Sequence, residues 1–104
     1  EIDPANADVY LMWSLVPFDQ GDYDKAFGIV QMGLAELPQE ADLYYRAVVY
    51  QIYAGNYRDA LLNLETALTL DYDTHVQLFE FFPELEKQKA LYKIIQQYHK
   101  KEDE

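Results

Sequence analysis

The chain has 104 residues, and half of them are apolar, which suits a single domain with a packed core. It contains no cysteine, which excludes disulfides, thiolate metal sites and cysteine nucleophiles. Its net charge is −11, and such an acidic surface repels phosphate, so we expect no nucleic-acid partner and favour a neutral or basic protein or peptide.

Neither a membrane-spanning segment nor a secretory signal is predicted. No apolar run is long enough to cross a bilayer, and the chain does not open on basic residues followed by an apolar stretch. We therefore expect no membrane partner, and the sequence favours a cytoplasmic location.

Two helices joined by a tight turn are predicted in the first part of the chain. The first covers about residues 8–20 and ends at Gly21, because a glycine just past a helix adopts the left-handed conformation that closes it. Asp22 is a favoured N-cap for a second helix over residues 23–37, and Pro38 stops that helix.

The same pattern follows a second time. Helices are predicted over residues 42–54 and 57–70, with Gly55 and Asn56 forming the turn between them. A short helix then runs to about Phe82, capped by Asp73 or Thr74.

A last helix is predicted over residues 84–100, since Pro83 suits its first turn. Its apolar stripe favours a capping helix that covers the open end of the stack. The alternative is a dimerisation surface.

The two predicted helix pairs align when the sequence is shifted by 34 residues. Identical residues then coincide along the whole unit: Ala7 with Ala41, Asp8 with Asp42, Tyr10 with Tyr44, Gly21 with Gly55, Tyr23 with Tyr57, Ala26 with Ala60, and Leu34 with Leu68. A period of this length with glycine at its middle is typical of a repeated unit of two helices.

The two helices of each pair differ in the arrangement of their apolar residues. The second helix, clearest over residues 57–70, has one apolar and one polar face, so it packs on one side and meets water on the other. The first helix is apolar on nearly every side, as in residues 11–16 and 43–53. We therefore expect the first helices to form a buried inner layer and the second helices an outer one.

These features resemble tetratricopeptide repeats. The resemblance is carried by an early aromatic residue, the Gly-Asp-Tyr or Gly-Asn-Tyr turn, the alanines that follow and a closing proline: Tyr10, Gly21, Asp22, Tyr23, Ala26 and Pro38 in unit one, and Tyr44, Gly55, Asn56, Tyr57, Ala60 and Ala67 in unit two. It implies an all-α, right-handed stack of antiparallel helix pairs that forms a single domain, with unit one at residues 7–40 and unit two at residues 41–74.

The resemblance extends to both ends of the chain. Residues 1–6 resemble the tail of a preceding repeat, which implies a longer array. Residues 75–100 resemble a degenerate third repeat or cap in which Ala90 takes the place of Ala60, and residues 101–104 are expected to be a frayed tail.

The sequence departs from the family pattern at Pro17, where an aromatic residue is usual. A proline inside a helix removes a backbone hydrogen bond, so we expect Pro17 to bend or shorten the first helix.

The resemblance also implies a concave groove, lined by the first helices, that grips an extended peptide or a partner's helix. The family's groove positions fall here on Asp8, Leu11, Leu15, Phe18, Asp19, Asp42, Tyr45, Val49, Ile52 and Tyr53. They predict an apolar, aromatic groove with an acidic fringe.

Some groove positions have a second interpretation. Packing against a neighbouring helix is equally well supported for Leu15, Val49 and Ile52. An interface role is favoured for the large aromatic residues Phe18, Tyr45 and Tyr53, because such side chains are enriched at interfaces. The carboxylate-clamping subtype of the family is not expected, since leucines stand at its cationic positions and only Arg46 lies near the right face.

No constellation points to catalysis, a metal or a cofactor. His75 and His99, both expected to be exposed, have no partner at ligand spacing, and the segment from Asp71 to Asp73 lacks the later ligands of a calcium loop. We predict a non-catalytic protein-interaction module. The alternative is an assembly element whose groove is filled by self-association or by neighbouring repeats, and we expect a monomer or weak homodimer.

Overall fold

The computed structural model describes residues 6–103, with side chains described for residues 6–99. Within that range the chain is all-α, and its helices in chain order are α1 Ala7–Asp19, α2 Tyr23–Glu36, α3 Ala41–Tyr53, α4 Tyr57–Leu70, α5 Gln77–Phe81 and α6 Lys89–Asp103. Two short 3-10 segments, Asp73–Val76 and Pro83–Lys87, flank α5. None of the described helices combines the length and apolar character needed to cross a membrane.

The first four helices agree with the predicted ones to within a residue at each end. Gly21 and Gly55 have φ angles of 80° and 85°, which confirms that each closes its helix in the left-handed conformation. The Asp22 carboxylate accepts a hydrogen bond from the backbone amide of Lys25 at 3.2 Å, which confirms it as the N-cap of α2. Residues 1–5 of the predicted repeat tail and Glu104 of the predicted frayed tail lie outside the described residues. Helix α6 continues to Asp103, so residues 101–103 are helical and not frayed.

Pro17 does not shorten α1, which was one of the two effects expected of it. Helix α1 has 13 residues, as many as its counterpart α3. The Pro17 carbonyl accepts a hydrogen bond from the amide of Asp22 at 2.8 Å, and the Gln51 carbonyl accepts the same bond from Asn56 at 2.8 Å. Because the closing bond uses the carbonyl of this residue and not its amide, proline is compatible with the same helix end.

The helices pack in sequence as adjacent antiparallel pairs, which confirms the predicted architecture. Helix α2 contacts both α1 and α3, and Gly33 lies where α2 comes close to residues of both. A Cβ atom on Gly33 would lie 2.8 Å from Cγ of Tyr10 on α1 and 3.1 Å from Cδ1 of Leu43 on α3. Only a glycine therefore allows this spacing of the three helices.

The inner layer is only partly as predicted. Helix α3 is buried along most of its length, and Leu43, Ala47 and Tyr50 have no exposed surface. Helix α1, by contrast, exposes Met12 and Val16, although it was expected to be buried on every side. The two helices differ because α3 packs extensively against α1, α2 and α4, whereas the extensive contacts of α1 are with α2 and α3.

The last helix begins five residues later than predicted. Residues Pro83–Lys87 form a 3-10 turn, Gln88 leaves helical geometry with ψ of 89°, and α6 starts at Lys89. Leu85 and Leu91, one on each side of this break, are both buried, so the break in the helix allows both side chains to reach the core. Helix α6 packs on α4 and covers that end of the stack, as the capping prediction requires.

The third unit does not reproduce the first two. Ala90 is exposed whereas Ala60 is fully buried, so the two alanines are not equivalent in the structure. Where unit one and unit two have a first helix of 13 residues, this region has two 3-10 turns around the five-residue α5.

Candidate partner-binding cleft

An open cleft of about 550 Å³ lies where the ends of α1 and α3 meet the chain after α5. We call this the cleft, and its lining is mainly apolar and aromatic: Leu15, Phe18, Asp19, Arg46, Tyr53, Phe81, Phe82 and Pro83. A cavity of this size and composition, with a few convergent polar groups, can hold a large side chain or a short peptide segment.

Phe18 is the centre of the aromatic wall of the cleft. Its ring lies 5.1 Å from that of Tyr53 and 5.6 Å from that of Phe82, both edge-on, and it also contacts the rings of Tyr23 and Tyr50. Edge-to-face contacts of this kind stabilise the arrangement beyond the area that they bury. The wall is therefore pre-formed by residues from α1, α3 and the segment after α5.

Arg46 supplies the positive charge of the cleft and is held in place by its neighbours. Its Nη1 donates hydrogen bonds to the Leu11 carbonyl at 3.1 Å and to the Tyr50 hydroxyl at 3.3 Å. The guanidinium lies 5.2 Å from the centre of the Phe82 ring, within cation–π range. No carboxylate among the described residues forms an ion pair with it.

Two further groups set the polarity of the cleft. Asp19 at the end of α1 is exposed and brings a negative charge to the rim, opposite in sign to Arg46. Burial, with the Glu84 carboxylate adding to it, raises the pKa of Tyr53, so its hydroxyl stays protonated as a hydrogen-bond donor.

The half of the predicted groove that belongs to unit two is filled by the chain itself. Residues 77–82, which we call the covering segment, lie over α3 with Leu78 and Phe82 against Tyr45 and Val49. The space between them has no room for a water molecule. At the edge of the segment, Gln77 donates a hydrogen bond from Nε2 to the Asp42 carboxylate at 2.9 Å.

The ten predicted groove residues are therefore divided among several places. Four of them line the cleft: Leu15, Phe18, Asp19 and Tyr53. The structure buries Tyr45, Val49 and Ile52, because the covering segment and α6 occupy the space beside them. For Val49 and Ile52 this is the packing alternative, whereas for Tyr45 an interface role had been favoured. The other three are outside the cleft lining: Asp8 is exposed, Leu11 is half-buried, and Asp42 is bonded to Gln77.

Four cleft residues were not among the predicted site residues, namely Arg46, Phe81, Phe82 and Pro83. The sequence could have indicated Arg46 as a site residue, since it was the only cation near the groove face of α3. The consecutive aromatic residues Phe81 and Phe82 were a weaker signal, because their pattern alone also fits a packed helix.

His75, which was expected to be exposed, is half-buried, with its ring 4.7 Å from that of Tyr72.

Tyr45 is the best anchored of the covered residues. Its hydroxyl donates a hydrogen bond of 2.6 Å to the Asp71 carbonyl, which fixes the end of α4 to α3. Burial above all, with the Asp71 and Asp42 carboxylates adding to it, raises the pKa of Tyr45 well above its ordinary value.

The raised pKa of Tyr45 predicts a loss of stability in alkali. Above about pH 10, the ordinary pKa of tyrosine, the unfolded chain releases this proton while the folded chain keeps it. The contribution of Tyr45 to the free energy of unfolding is therefore fully present below that pH. It falls as the pH rises, by about 1.4 kcal/mol per pH unit for one proton. We expect Tyr45→Phe to show a shallower decline in urea unfolding between about pH 10 and 12.

Tyr57→Phe is the control for this measurement, because Tyr57 is exposed. Its decline with pH should match that of the unaltered chain. If the two variants lose stability with the same slope, Tyr45 is not the group responsible.

Comparison with known proteins identifies no family for this chain. No protein-family model matches it, and no curated protein and no solved structure matches it either. The described part of the chain is all-α, its helices pack as consecutive antiparallel pairs, and the cleft described above is open.

Proposed function

We propose that this chain is a tetratricopeptide-like, non-catalytic interaction module that holds a partner peptide or helix in the cleft. The internal 34-residue repeat, the left-handed glycines and the sequential helix pairs support the assignment to this kind of repeat. The observation that carries the binding role is the cleft itself, an open space of about 550 Å³ with a pre-formed aromatic wall.

The lining of the cleft defines the partner's chemistry. Its apolar surface and the ring of Phe18 favour a large aliphatic or aromatic side chain as the anchor, since aromatic pockets are typical binding hot spots. The net charge of −11 favours a partner whose surrounding residues are neutral or basic. A bulky apolar anchor with neutral or basic flanks is the recognition feature that we propose.

Selection of peptides from a random display library tests this function. Selected peptides should share an aromatic or large aliphatic residue, and their backbone-amide shift changes in NMR spectra should concentrate on the cleft. Leu15→Lys should weaken their binding at least about tenfold, because a lysine fills the apolar cleft and adds a charge. Leu15 lines the cleft without belonging to the core cluster, so the fold should be unaffected.

Leu62→Lys is the matched control, because Leu62 is an exposed leucine on α4, away from the cleft. It should leave peptide binding unchanged. Peptides that bind equally well to both lysine variants, or shift changes that lie elsewhere, would show that the cleft is not the binding site.

An assembly role is the second candidate, and the filled half of the groove favours it. Leu78 and Phe82 already occupy the surface over Tyr45, which is how a purely structural repeat would use it. Sedimentation velocity over a wide concentration range separates the two roles. A constant monomer supports ligand binding in an open cleft, whereas tight dimerisation that protects the cleft supports assembly.

A further inference from the structure

The guanidinium of Arg46 lies in the cleft without a carboxylate partner among the described residues. This is so although the chain has 19 acidic residues and 8 basic ones. Asp19 lines the same cleft, yet it forms no ion pair with Arg46. A positive charge that the described part of the chain does not pair therefore lies among apolar and aromatic side chains.

The hydrogen bonds of Arg46 use only part of its guanidinium. Nη1 donates to the Leu11 carbonyl at 3.1 Å and to the Tyr50 hydroxyl at 3.3 Å. Nε and Nη2 donate to no group of the chain between residues 6 and 99. These two atoms form one edge of the guanidinium, and their parallel N–H bonds match the two oxygens of a carboxylate.

The guanidinium is also held in place by the fold itself. Besides the two hydrogen bonds, its central carbon lies 5.2 Å from the centre of the Phe82 ring and 5.9 Å from that of the Tyr50 ring. A side chain that is already fixed loses little entropy when a ligand binds to it. The repeat does not require a cation at this position, because the shift of 34 residues places Met12 there in unit one. Arg46 is therefore a property of the cleft and not of the repeat.

The group that fits this edge of Arg46 is a single carboxylate. A neutral acceptor would leave the positive charge uncompensated when the ligand excludes water from the cleft. A phosphate group carries about two negative charges, and the net charge of −11 repels it more strongly than it repels one carboxylate. One aspartate or glutamate side chain therefore complements the cleft best.

From these observations we infer that the partner peptide carries an aspartate or glutamate beside its apolar anchor, and that this carboxylate pairs with Arg46. The inference rests on the proposed function, because it concerns the same cleft. It adds one acidic residue to a peptide whose other flanking residues are neutral or basic.

Selection from a focused display library tests the pairing. The library presents short peptides with a central phenylalanine and random flanks, each joined to its carrier through its C-terminus, so that Asp and Glu supply the only carboxylates. Peptides selected on the unaltered chain should share an acidic residue at a constant distance from the phenylalanine. Peptides selected on Arg46→Gln should not share it.

Arg58→Gln is the matched control, because Arg58 is exposed on α4 and its replacement changes the net charge by the same amount. Peptides selected on this variant should keep the acidic residue. If both variants abolish the acidic preference, the peptides respond to the overall charge of the chain and not to Arg46, and the inference is wrong.

A double-mutant cycle measures the pair itself. A selected peptide and its version with the acidic residue replaced by the corresponding amide are titrated against the unaltered chain and Arg46→Gln by calorimetry. On the unaltered chain the amide version should bind about tenfold more weakly. On Arg46→Gln the two peptides should bind alike.

Arg46→Lys gives a second measurement if Arg46→Gln does not fold, which urea unfolding checks for each variant. Lysine keeps the charge but lacks the planar pair of donors, so the difference between the two peptides should persist and be smaller. If replacing Arg46 weakens both peptides equally, Arg46 only supports the cleft wall through Phe82, and the partner's acidic residue does not pair with it.

Leu15→Lys separates failure of this inference from failure of the proposed function. If the selected peptides share no acidic residue but Leu15→Lys abolishes their binding, the cleft is a binding site whose partner does not use Arg46, and only the inference fails. If Leu15→Lys leaves the binding of all selected peptides unchanged, they bind outside the cleft, and the proposed function fails with it.

Discussion

Gly33→Leu is expected to destabilise the folded chain by about 3 kcal/mol, the upper part of the range for overpacking a tightly packed site. The first atom of any side chain at this position would lie 2.8 Å from Tyr10 and 3.1 Å from Leu43. Both neighbours are buried, so neither can move without displacing α1 or α3 from α2. Urea unfolding followed by circular dichroism measures the loss.

Gly28→Ala is the matched control on the same helix. A Cβ atom at Gly28 would meet nothing within 4 Å, and alanine favours a helix over glycine. We expect this variant to be more stable than the unaltered chain by about 0.5–1 kcal/mol. If both substitutions stabilised the chain, α2 would not be as close to its neighbours as the structure places it.

Leu78→Ala is the second substitution for which we expect a large effect, a loss of about 2–4 kcal/mol in the free energy of unfolding. Leu78 is fully buried and is the side chain with which α5 packs over Tyr45 and Val49. Its truncation should also raise the amide hydrogen-exchange rates of α5, because the covering segment loses its main anchor. Equilibrium unfolding in urea and hydrogen exchange measure the two effects.

Phe81→Ala separates packing from binding on the same short helix. Phe81 is 64% exposed and lines the cleft, so its removal should change stability by less than about 0.5 kcal/mol. Binding of cleft peptides should nevertheless weaken. A stability loss at Phe81 as large as that at Leu78 would mean that α5 packs differently from the structure.

The sequence predicts the first four helices well because their ends depend on local chemistry. Gly21 and Gly55 take up a conformation that other residues avoid, and Asp22 caps α2 with its own side chain. Such features act within a few residues of the chain, so they can be read without knowing the fold. The 34-residue repeat then indicates that the second pair copies the first.

The cleft is only partly predictable because it depends on contacts between distant parts of the chain. Leu15, Phe18 and Tyr53 lie on the predicted groove face, and the structure leaves them in the cleft. Nothing local to Tyr45 indicates that residues 77–82 cover it. The apolar pattern of those residues fits a packed helix anywhere on the stack, and their position is decided by contacts of Leu78 and Phe82 with Tyr45 and Val49, which are distant in the sequence.

The covering segment also limits how tightly any ligand could bind to the groove face of unit two. Because it belongs to the same chain, it acts as a competitor whose effective concentration does not change on dilution. A ligand that binds at Tyr45 must displace Leu78, and its observed dissociation constant rises by the factor with which the closed form outnumbers the open one. If Leu78 contributes about 3 kcal/mol to the closed form, that factor is about a hundredfold. Phe82 packs in the covered region beside Tyr45 and also forms part of the cleft wall. Displacing the covering segment from Tyr45 therefore also changes the shape of the cleft.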